Sequence, residues 1–336
     1  MPVTLEPRRT PSAPPRTSVG RSQATGTIRI GLINNMPDSA LQSTETQFCG
    51  LLEGAAGSEA VTVRLSSFPE LPRGPEAQEQ IHRTYWPIAE LLAEPPDALI
   101  ITGTEPRAAR LSDEPYWARF GELLDFAQRH TVASIWSCLA AHAAVEMLDG
   151  IRRERLPEKR SGVYEHSILS GHALLQGVGS PLFMPHSRWN ELSLDALRAA
   201  DYTILSWSAV SGADAFLRQR GSLLLFFQGH PEYEGTTLLK EYRRDVGRYL
   251  SGTQPHYPTL PVGYLLAGAR ERTEAFKRDA LADRRPELLE RFPFAAIAAE
   301  LKNTWKPAAV AVYRNWLNFI AHGKAAARRP EPLSLA

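Results

Sequence analysis

The chain has 336 residues, 43% of them hydrophobic and 22% charged, which is the composition of an enzyme-sized globular protein. Its 38 basic residues balance 37 acidic ones, and a net charge of +1 is too small to drive binding to nucleic acid or to an anionic membrane. No apolar run approaches the roughly 20 residues that cross a bilayer, and no secretory signal precedes the first strand. We therefore expect a cytoplasmic protein whose partners are small molecules.

The N-terminal residues 1–26 are predicted to be a disordered leader. They are rich in proline, arginine, serine and threonine, and they show no hydrophobic period that could contribute to a core. From residue 27 onward, short apolar runs alternate with helical patterns. Strands are predicted at Thr27–Ile33, Val61–Phe68, Ala98–Gly103 and Thr131–Trp136. Helices are predicted at 38–52, at a segment that ends at Leu92, at Tyr116–Arg129 and at Leu139–Leu148.

This alternation predicts an α/β fold with a doubly wound, mostly parallel sheet flanked by helices. After Gly150 the pattern changes to shorter extended segments, and a final strand and helix then close an α/β domain of residues 27–252. A helical C-terminal extension, 253–322, should pack on this core, with a last helix near Ala308–Ala321. Residues 323–336 are predicted to be a flexible tail.

The chain has only two cysteines, Cys49 and Cys138, so it lacks the disulfide framework of small secreted domains. Cys138 lies between the strand that ends at Trp136 and the helix that begins at Leu139. A thiolate at the N-terminus of a helix is stabilised by free backbone N–H groups and by the helix dipole, which also favour an oxyanion. Cys138 is therefore a candidate nucleophile, and the competing interpretation is a buried structural cysteine.

His230 and Glu232 follow the apolar run Leu223–Phe227, again at a predicted strand end. A cysteine nucleophile needs a base, and a carboxylate beside an imidazole fixes its tautomer and stabilises its cation. Because the carboxyl ends of parallel strands share one edge of a sheet, His230 and Glu232 could reach Cys138.

These residues belong to a set of seven sequence blocks through which the chain resembles the homoserine O-succinyltransferase/O-acetyltransferase family, a branch of the class I glutamine amidotransferase-like superfamily. The resemblance spans most of residues 27–320. Its blocks are Ile30–Leu32 with Asn35–Asp38, Thr44–Gln47, Tyr116–Trp117, Leu156–Lys159 with Gly162–Val163, Pro185–Arg188, Gly229–Tyr233 and Asn315–Asn318.

The resemblance implies that Cys138 is the nucleophile that becomes an acyl-thioester, that His230 is the base and that Glu232 orients it. It implies that Lys159, Ser187 and Arg244 bind substrate. It also implies an oxyanion hole formed by the backbone of Asn35, Met36 and Leu139. The reaction it implies is ping-pong transfer of an acyl group from succinyl-CoA or acetyl-CoA to homoserine, in methionine biosynthesis, with no resident cofactor. The family is commonly dimeric, which implies a homodimer here.

The chain departs from the family at two places. The family commonly reads Cys-Trp-Gly-Ala-Gln-Ala where this chain has Cys138–Ala143 with leucine, alanine and histidine at the second, third and fifth positions. At the position aligned with Arg107 the family has glycine for acetyl donors and glutamate for succinyl donors. Our hypothesis is that the Arg107 guanidinium pairs with the free carboxylate of a succinyl group, which favours succinyl over acetyl.

Three other functions remain open at this point. Serine could replace homoserine as the acceptor, since a pocket distinguishes one methylene by only about 1–3 kcal/mol. A glutamine amidotransferase-like amidase uses the same order of Cys, His and Glu, and the altered residues after Cys138 would also suit a catalytically silent binding module. No metal site is predicted, because Cys138, His142 and His166 are not spaced as a zinc set.

Overall fold

The computed structural model describes residues 2–8 and 26–327, and the strands in these ranges form two sheets. The strands are β1 Val3–Leu5, β2 Ile28–Ile33, β3 Val61–Ser66, β4 Ala98–Thr102, β5 Ala133–Ser137, β6 Glu154–Ile168, β7 Leu182–Glu191, β8 Thr203–Ile204, β9 Ser206–Ser208, β10 Gly212–Ala213, β11 Ala215–Arg220 and β12 Ser222–Phe227. The helices are α1 Leu41–Ala56, α2 Pro75–Thr84, α3 Ile88–Ala93, α4 Trp117–His130, α5 Leu139–Asp149, α6 Leu194–Ala199, α7 Thr237–Leu250, α8 Ala267–Ala282, α9 Phe294–Ala298 and α10 Lys306–Ala327. Short 3-10 helices lie at Asp38–Ala40, Leu111–Asp113, Ala173–Leu175 and Pro286–Arg291.

The large sheet has the order β1-β3-β2-β4-β5-β12-β11-β8. Its first six strands are mutually parallel, and β11 is antiparallel to both of its neighbours. Side chains alternate between the two faces: Ala98 and Ile100 of β4 pack on the side of α1 and α10, while Leu99 and Ile101 pack on the side of α4 and α5. This is the doubly wound, mostly parallel arrangement predicted from the sequence.

The small sheet has the order β10-β9-β6-β7 and is antiparallel. The sequence pattern predicted extended segments that fall within β6 and around β8 and β9, but it gave no sign of β7. Proline and polar residues, 185–188, interrupt the alternation of apolar side chains in β7, although four of its residues from Leu182 to His186 are buried. Strand β7 of this sheet contacts the loop that follows β12, where the His230 N–H donates to the Pro185 carbonyl at 2.8 Å.

The N-terminal residues that the structure describes are ordered, so the prediction of a disordered leader is wrong for residues 2–8. Val3–Leu5 pairs in parallel with β3, with Val3 opposite Val61. A run of three residues is too short to show a hydrophobic period, and its order comes from main-chain bonds to β3 and from Glu6, which pairs with Arg64 at 3.1 Å. Residues 9–25 of the predicted leader lie outside the described residues.

The C-terminal helices pack on the rest of the chain in two places. Helices α8 and α9 form an apolar cluster with α7, while α10 lies against α1 and the large sheet. The buried stripe of α10 is at most 1% exposed, and its side chains recur at helical spacing; they are Tyr313, Trp316, Leu317 and Ile320. Helix α10 runs on to Ala327, into the predicted flexible tail, and residues 328–336 lie outside the described part of the chain. None of the described helices is long and apolar enough to cross a membrane.

Candidate active site

The candidate nucleophile and base meet because their strands are neighbours. Strands β5 and β12 are parallel and adjacent, with Ser137 opposite Phe227 at their carboxyl ends. Cys138 therefore begins its turn beside the loop that leads to His230, and the Cys138 N–H donates to the Phe227 carbonyl at 2.7 Å. The sheet order thus brings Cys138 and His230 to the carboxyl edge of the parallel strands, where the sequence predicted that they would lie.

Cys138 adopts a backbone conformation that is rare for a residue with a side chain. Its φ is 50° and its ψ is −110°, and it stands directly before α5 at the N-cap position. Such a conformation costs on the order of 1–3 kcal/mol, which the surrounding packing must supply. The sharp turn leaves Sγ partly exposed at the positive end of α5, where the dipole and the N–H groups of the first turn favour a thiolate.

Gly103, directly after β4, lets α5 approach the sheet. A Cβ atom on Gly103 would lie 2.4 Å from Leu139 Cβ and 3.1 Å from the Ala140 nitrogen, so the first turn of α5 would have to move. We expect Gly103→Ala to destabilise the protein by about 1–3 kcal/mol and to lower activity by about 10²-fold, because it displaces the residues next to Cys138. Thermal unfolding and turnover measure this, with Gly171→Ala as control, since a Cβ on Gly171 meets nothing within 4 Å. Wild-type activity in Gly103→Ala would contradict it.

The predicted base and its carboxylate form a direct pair. His230 Nδ1 and Glu232 Oε1 are 2.8 Å apart, and both side chains are buried. Burial alone would lower the pKa of His230, but the charges of the Cys138 thiolate and the Glu232 carboxylate, and hydrogen bonding to both, hold that pKa well above its ordinary value. The imidazole also stacks on Tyr233, with the ring centroids 4.2 Å apart. His230 is thus fixed in orientation, with Nδ1 toward the carboxylate and Nε2 left for chemistry.

The predicted oxyanion hole differs from expectation at one position. The Asn35 N–H donates to Thr102 Oγ1 at 2.8 Å, so this group is already used within the protein. The Met36 N–H has only a long contact of 3.3 Å to Asn34 Oδ1. The Leu139 N–H is the first of α5, where a helix leaves its N–H groups without intrahelical acceptors. The sequence gives no indication that the side chain of Thr102, at the end of β4, accepts the hydrogen bond of the Asn35 N–H.

Two of the three predicted substrate-binding residues converge on an acid that sequence analysis missed. Lys159 Nζ lies 2.7 Å from Asp245 Oδ2, and Arg244 Nε donates to Asp245 Oδ1 at 3.1 Å. Burial raises the pKa of Asp245, but the two cations outweigh burial and lower that pKa below its ordinary value. Asp245 stands among arginines on α7, and this charge pattern was the available signal. Ser187 lies on β7 opposite Ser161 of β6.

Arg107 lines a cleft of about 530 Å³ whose wall also includes Arg73, Thr104 and Tyr116. The Arg107 side chain is exposed, and its backbone N–H donates to Glu114 Oε1 at 2.6 Å. Thr104 and Tyr116 also line a small depression beside Leu139, so the cleft adjoins the turn that carries the nucleophile. Arg107 thus lines this cleft, whose lining residues do not include Cys138.

Cys49 is also free, but it has no reactive environment. Burial in α1, together with nearby glutamates, raises the pKa of its thiol to about 11. His142, the histidine that departs from the family pattern, bonds to Gln228 at 2.9 Å between Nε2 and Oε1. It thereby links α5 to the loop that carries His230, a contact that no local sequence signal indicated.

Comparisons with known proteins identify the family of this chain. A family profile described as homoserine O-succinyltransferase matches residues 15–326. The chain belongs to the homoserine O-succinyltransferase family. The family and the enzyme class predicted from the sequence, an acyltransferase, are thereby confirmed.

Two relatives, each named homoserine O-succinyltransferase, are similar along most of the chain. The protein from Rhodopseudomonas palustris is 45% identical over 304 residues, which are 90% of this chain and 91% of the relative. The protein from Methylorubrum extorquens is 44% identical over 294 residues, 88% of this chain and 87% of the relative.

Solved structures of two glutamine amidotransferases share the fold. The one from Thermotoga maritima has a TM-score of 0.50 at 11% identity and covers 87% of this chain and 98% of its own. The one from Methylobacillus flagellatus has a TM-score of 0.50 at 14% identity and covers 88% of this chain and 95% of its own. At these identities the likeness speaks for the fold alone, and the predicted class I glutamine amidotransferase-like fold is confirmed.

Proposed function

We propose that the protein transfers the succinyl group of succinyl-CoA to the hydroxyl of L-homoserine through an acyl-enzyme on Cys138. The observation that carries this proposal is the placement of a strained, strand-end cysteine at the N-terminus of α5 beside the His230–Glu232 pair. Family membership supplies the donor and acceptor, since the similar relatives are named for this reaction. The product would be the activated ester through which sulfur enters methionine.

In the first half-reaction the Cys138 thiolate attacks the thioester carbonyl of the donor. The resulting oxyanion accepts hydrogen bonds from the N–H groups of Leu139 and Met36. The carbon–sulfur bond to coenzyme A then breaks, and the leaving thiolate takes the proton of the His230 imidazolium. Cys138 is left as a succinyl thioester and His230 as a neutral base.

In the second half-reaction the homoserine hydroxyl attacks the thioester while His230 Nε2 takes its proton. The tetrahedral intermediate collapses, the O-succinyl ester leaves, and Cys138 departs as a thiolate. Glu232 stabilises the imidazolium that forms in this step, as it does in the resting enzyme. The two half-reactions give ping-pong kinetics and need no resident cofactor.

The substrate groups are assigned to the two sides of this centre. The donor binds in the cleft lined by Arg107, where the guanidinium contributes to donor selectivity by pairing with the free carboxylate of the succinyl group. Homoserine lies on the side of Ser187, Lys159 and Arg244, and the two cations hold its carboxylate. Asp245, which pairs with both cations, keeps them in place when no substrate is bound.

Arg244→Gln is expected to raise the KM for homoserine by about 10- to 100-fold and to change the KM for succinyl-CoA little, because one charge-assisted contact to the acceptor carboxylate is lost. Initial-rate kinetics with each substrate varied measure this effect. The neighbouring Arg243→Gln serves as the matched control on the same helix. An increase in the KM for succinyl-CoA alone would assign Arg244 to the donor instead.

The function is tested by incubating the protein with succinyl-CoA or acetyl-CoA, each with homoserine or serine, and following free thiol and the O-acyl product. Fastest turnover with succinyl-CoA and homoserine supports the proposal. Fastest turnover with serine or with acetyl-CoA reassigns one substrate, and glutamine hydrolysis without acyl transfer replaces the proposal with an amidase. No turnover of any of these substrates would indicate the silent module. We further propose that the enzyme acts in the cytoplasm as a homodimer, which cell fractionation and sedimentation would test.

A further inference from the structure

The loop that carries His230 is held by three consecutive backbone N–H groups. Gln228 N–H donates to the Asp214 carbonyl at 2.9 Å, and Gly229 N–H donates to Asp214 Oδ1 at 2.9 Å. His230 N–H donates to the Pro185 carbonyl at 2.8 Å. The loop therefore rests on two residues outside the catalytic triad, one between β10 and β11 and one on β7.

Gly229 shows how closely the loop sits on these supports. A Cβ atom there would lie 2.6 Å from Asp214 Oδ1 and 3.0 Å from the Pro185 carbonyl. Its φ is not positive, so glycine is needed for space and not for conformation. A shift of either support would therefore move the backbone of His230 directly.

Asp214 and Pro185 are joined by a fully buried polar group, the His186 cluster, which comprises His166, His186, Arg188, Ser211 and Asp214. Four of its side chains are 0% exposed, and Arg188 is 4% exposed. His186 follows Pro185 on β7, and its Nε2 lies 3.6 Å from Asp214 Oδ1 and 3.3 Å from His166 Nε2. No substrate-facing role in the proposed reaction uses this cluster.

The hydrogen-bond partners fix the tautomers of the two histidines. Arg188 Nε donates to His186 Nδ1 at 3.3 Å, so His186 carries its proton on Nε2 and donates it to His166 Nε2 at 3.3 Å, with Asp214 Oδ1 next to it at 3.6 Å. His166 Nδ1 lies 3.1 Å from the Tyr164 carbonyl and carries the proton there, which leaves Nε2 as an acceptor. The result is a hydrogen-bonded chain from Arg188 through His186 to His166, and the Asp214 carboxylate that holds Gly229 packs against the His186 Nε2–H at 3.6 Å.

A metal ion is a competing explanation, since the ligand atoms of His166, His186 and Asp214 all lie within 4.8 Å of one another. A metal would need a lone pair on His186 Nε2. The ring proton of His186 would then move to Nδ1, where it would face the Nε–H of Arg188, so two donors would point at each other. The positive charge of the Arg188 guanidinium would also repel a metal cation. The contacts of Arg188 therefore favour a hydrogen-bonded cluster.

We propose that the His186 cluster is a positioning element that sets the placement of His230 relative to Cys138, through Asp214 on one side of the loop and the Pro185 carbonyl on the other. The inference rests on the proposed roles of Cys138 and His230, but not on the identity of the donor or the acceptor. Ser187 lies between His186 and Arg188 on the same strand. The cluster therefore also fixes the position of Ser187, on the homoserine side of the site, relative to His230.

The test compares His186→Leu, which removes both ring nitrogens, with His186→Gln, which keeps a donor and an acceptor. Alkylation of Cys138 by iodoacetamide is followed across pH by peptide mass spectrometry, which separates it from Cys49. Burial and the nearby Arg188 charge keep the pKa of His186 well below its ordinary value, so His186 is neutral and its replacement removes no charge. The other groups whose charges act on Cys138 or His230 are unchanged in both variants; they are Glu232, Tyr233, Arg153 and Arg188.

We expect His186→Leu to move the alkylation profile to higher pH, because the thiolate loses its aligned imidazolium, and to lower kcat at least about 10-fold with little change in the KM for either substrate. His186→Gln should have an alkylation profile and a kcat close to those of the wild type. Thr273→Val is the control for lost stability: it removes a buried hydroxyl that bonds to the Ala269 carbonyl in α8, outside the site. It should lower the melting temperature without moving the profile.

A lowered melting temperature in His186→Leu, with alkylation and kcat within about twofold of wild type, would overturn the proposal and leave the cluster a structural role. If His186→Leu is recovered unfolded, His186→Asn takes its place, because asparagine is polar but too short to reach Asp214. The alkylation readout needs no substrate, so a failure of the proposed acyl transfer would appear in the turnover assay alone. Binding of zinc to the wild-type protein, lost in His186→Leu, would instead establish the metal site.

Discussion

Cys138→Ala is expected to lower kcat for acyl transfer by at least about 10³-fold, since no other group can form the acyl-enzyme. Wild-type protein incubated with succinyl-CoA alone should gain one succinyl group on the peptide that contains Cys138, and the variant should gain none. Mass spectrometry of the intact and digested protein measures this. Cys49→Ala is the matched control and should keep both the labelling and the rate, because the Cys49 thiol is held protonated in α1.

The same position should also reveal the strain in the turn. Glycine adopts the φ of 50° found at Cys138 without a Cβ penalty, whereas alanine does not. We expect Cys138→Gly to have a free energy of unfolding about 1 kcal/mol higher than that of Cys138→Ala, although both are inactive. Equal stability of the two variants would show that the turn is relaxed in the protein.

Glu232→Gln is expected to lower kcat by about 10²- to 10⁴-fold while the side chain keeps its size. The carboxylate raises the pKa of His230 against the opposing effect of burial, so its removal lowers that pKa. Because the imidazolium donates the proton to the leaving coenzyme A, the alkaline limb of the kcat/KM profile for succinyl-CoA should move to lower pH. A limb that stays in place or moves upward would contradict the assigned role.

Glu234→Gln provides the control for this change. Glu234 is two residues away and loses the same charge, but its side chain is 48% exposed and pairs with Lys306 rather than with His230. We expect its rate and pH profile to match the wild type. Stopped-flow release of coenzyme A at each pH would separate acylation from the later steps in both variants.

The positions of the candidate catalytic residues at strand ends could be predicted from sequence because they depend on short-range features. An apolar strand followed at once by Cys138, and another followed by Gly229–Glu232, place their side chains at the carboxyl edge of a parallel sheet wherever the strands lie. What sequence could not supply was the strand order. That Ser137 and Phe227 are neighbours depends on β12 pairing with β5 across nearly 90 residues of chain.

The contacts that escaped prediction are long-range or involve the backbone. Asp245 pairs with Lys159, which lies 86 residues earlier in the chain, and no local sequence pattern indicates this pair. The side chain of Thr102, 67 residues away, accepts the hydrogen bond of the Asn35 N–H. That N–H is therefore not available to the expected oxyanion hole. The strand β7 was missed because its polar residues face a buried cluster instead of water, so burial and polarity do not alternate as they do in an ordinary half-exposed strand.

The position of α10 has a consequence for how the protein is made. Its buried side chains, Tyr313, Trp316 and Ile320, complete the core beneath β2 and beside α1, which are synthesised more than about 250 residues earlier. Trp305, just before α10, donates its indole N–H to the Tyr233 carbonyl beside the base at 2.8 Å. During translation part of this apolar face therefore remains uncovered until α10 is made, and such a partly exposed core favours aggregation. Helix α10 and Trp305, which are made long after β2 and α1, thus complete both the core and the support of the loop that carries His230.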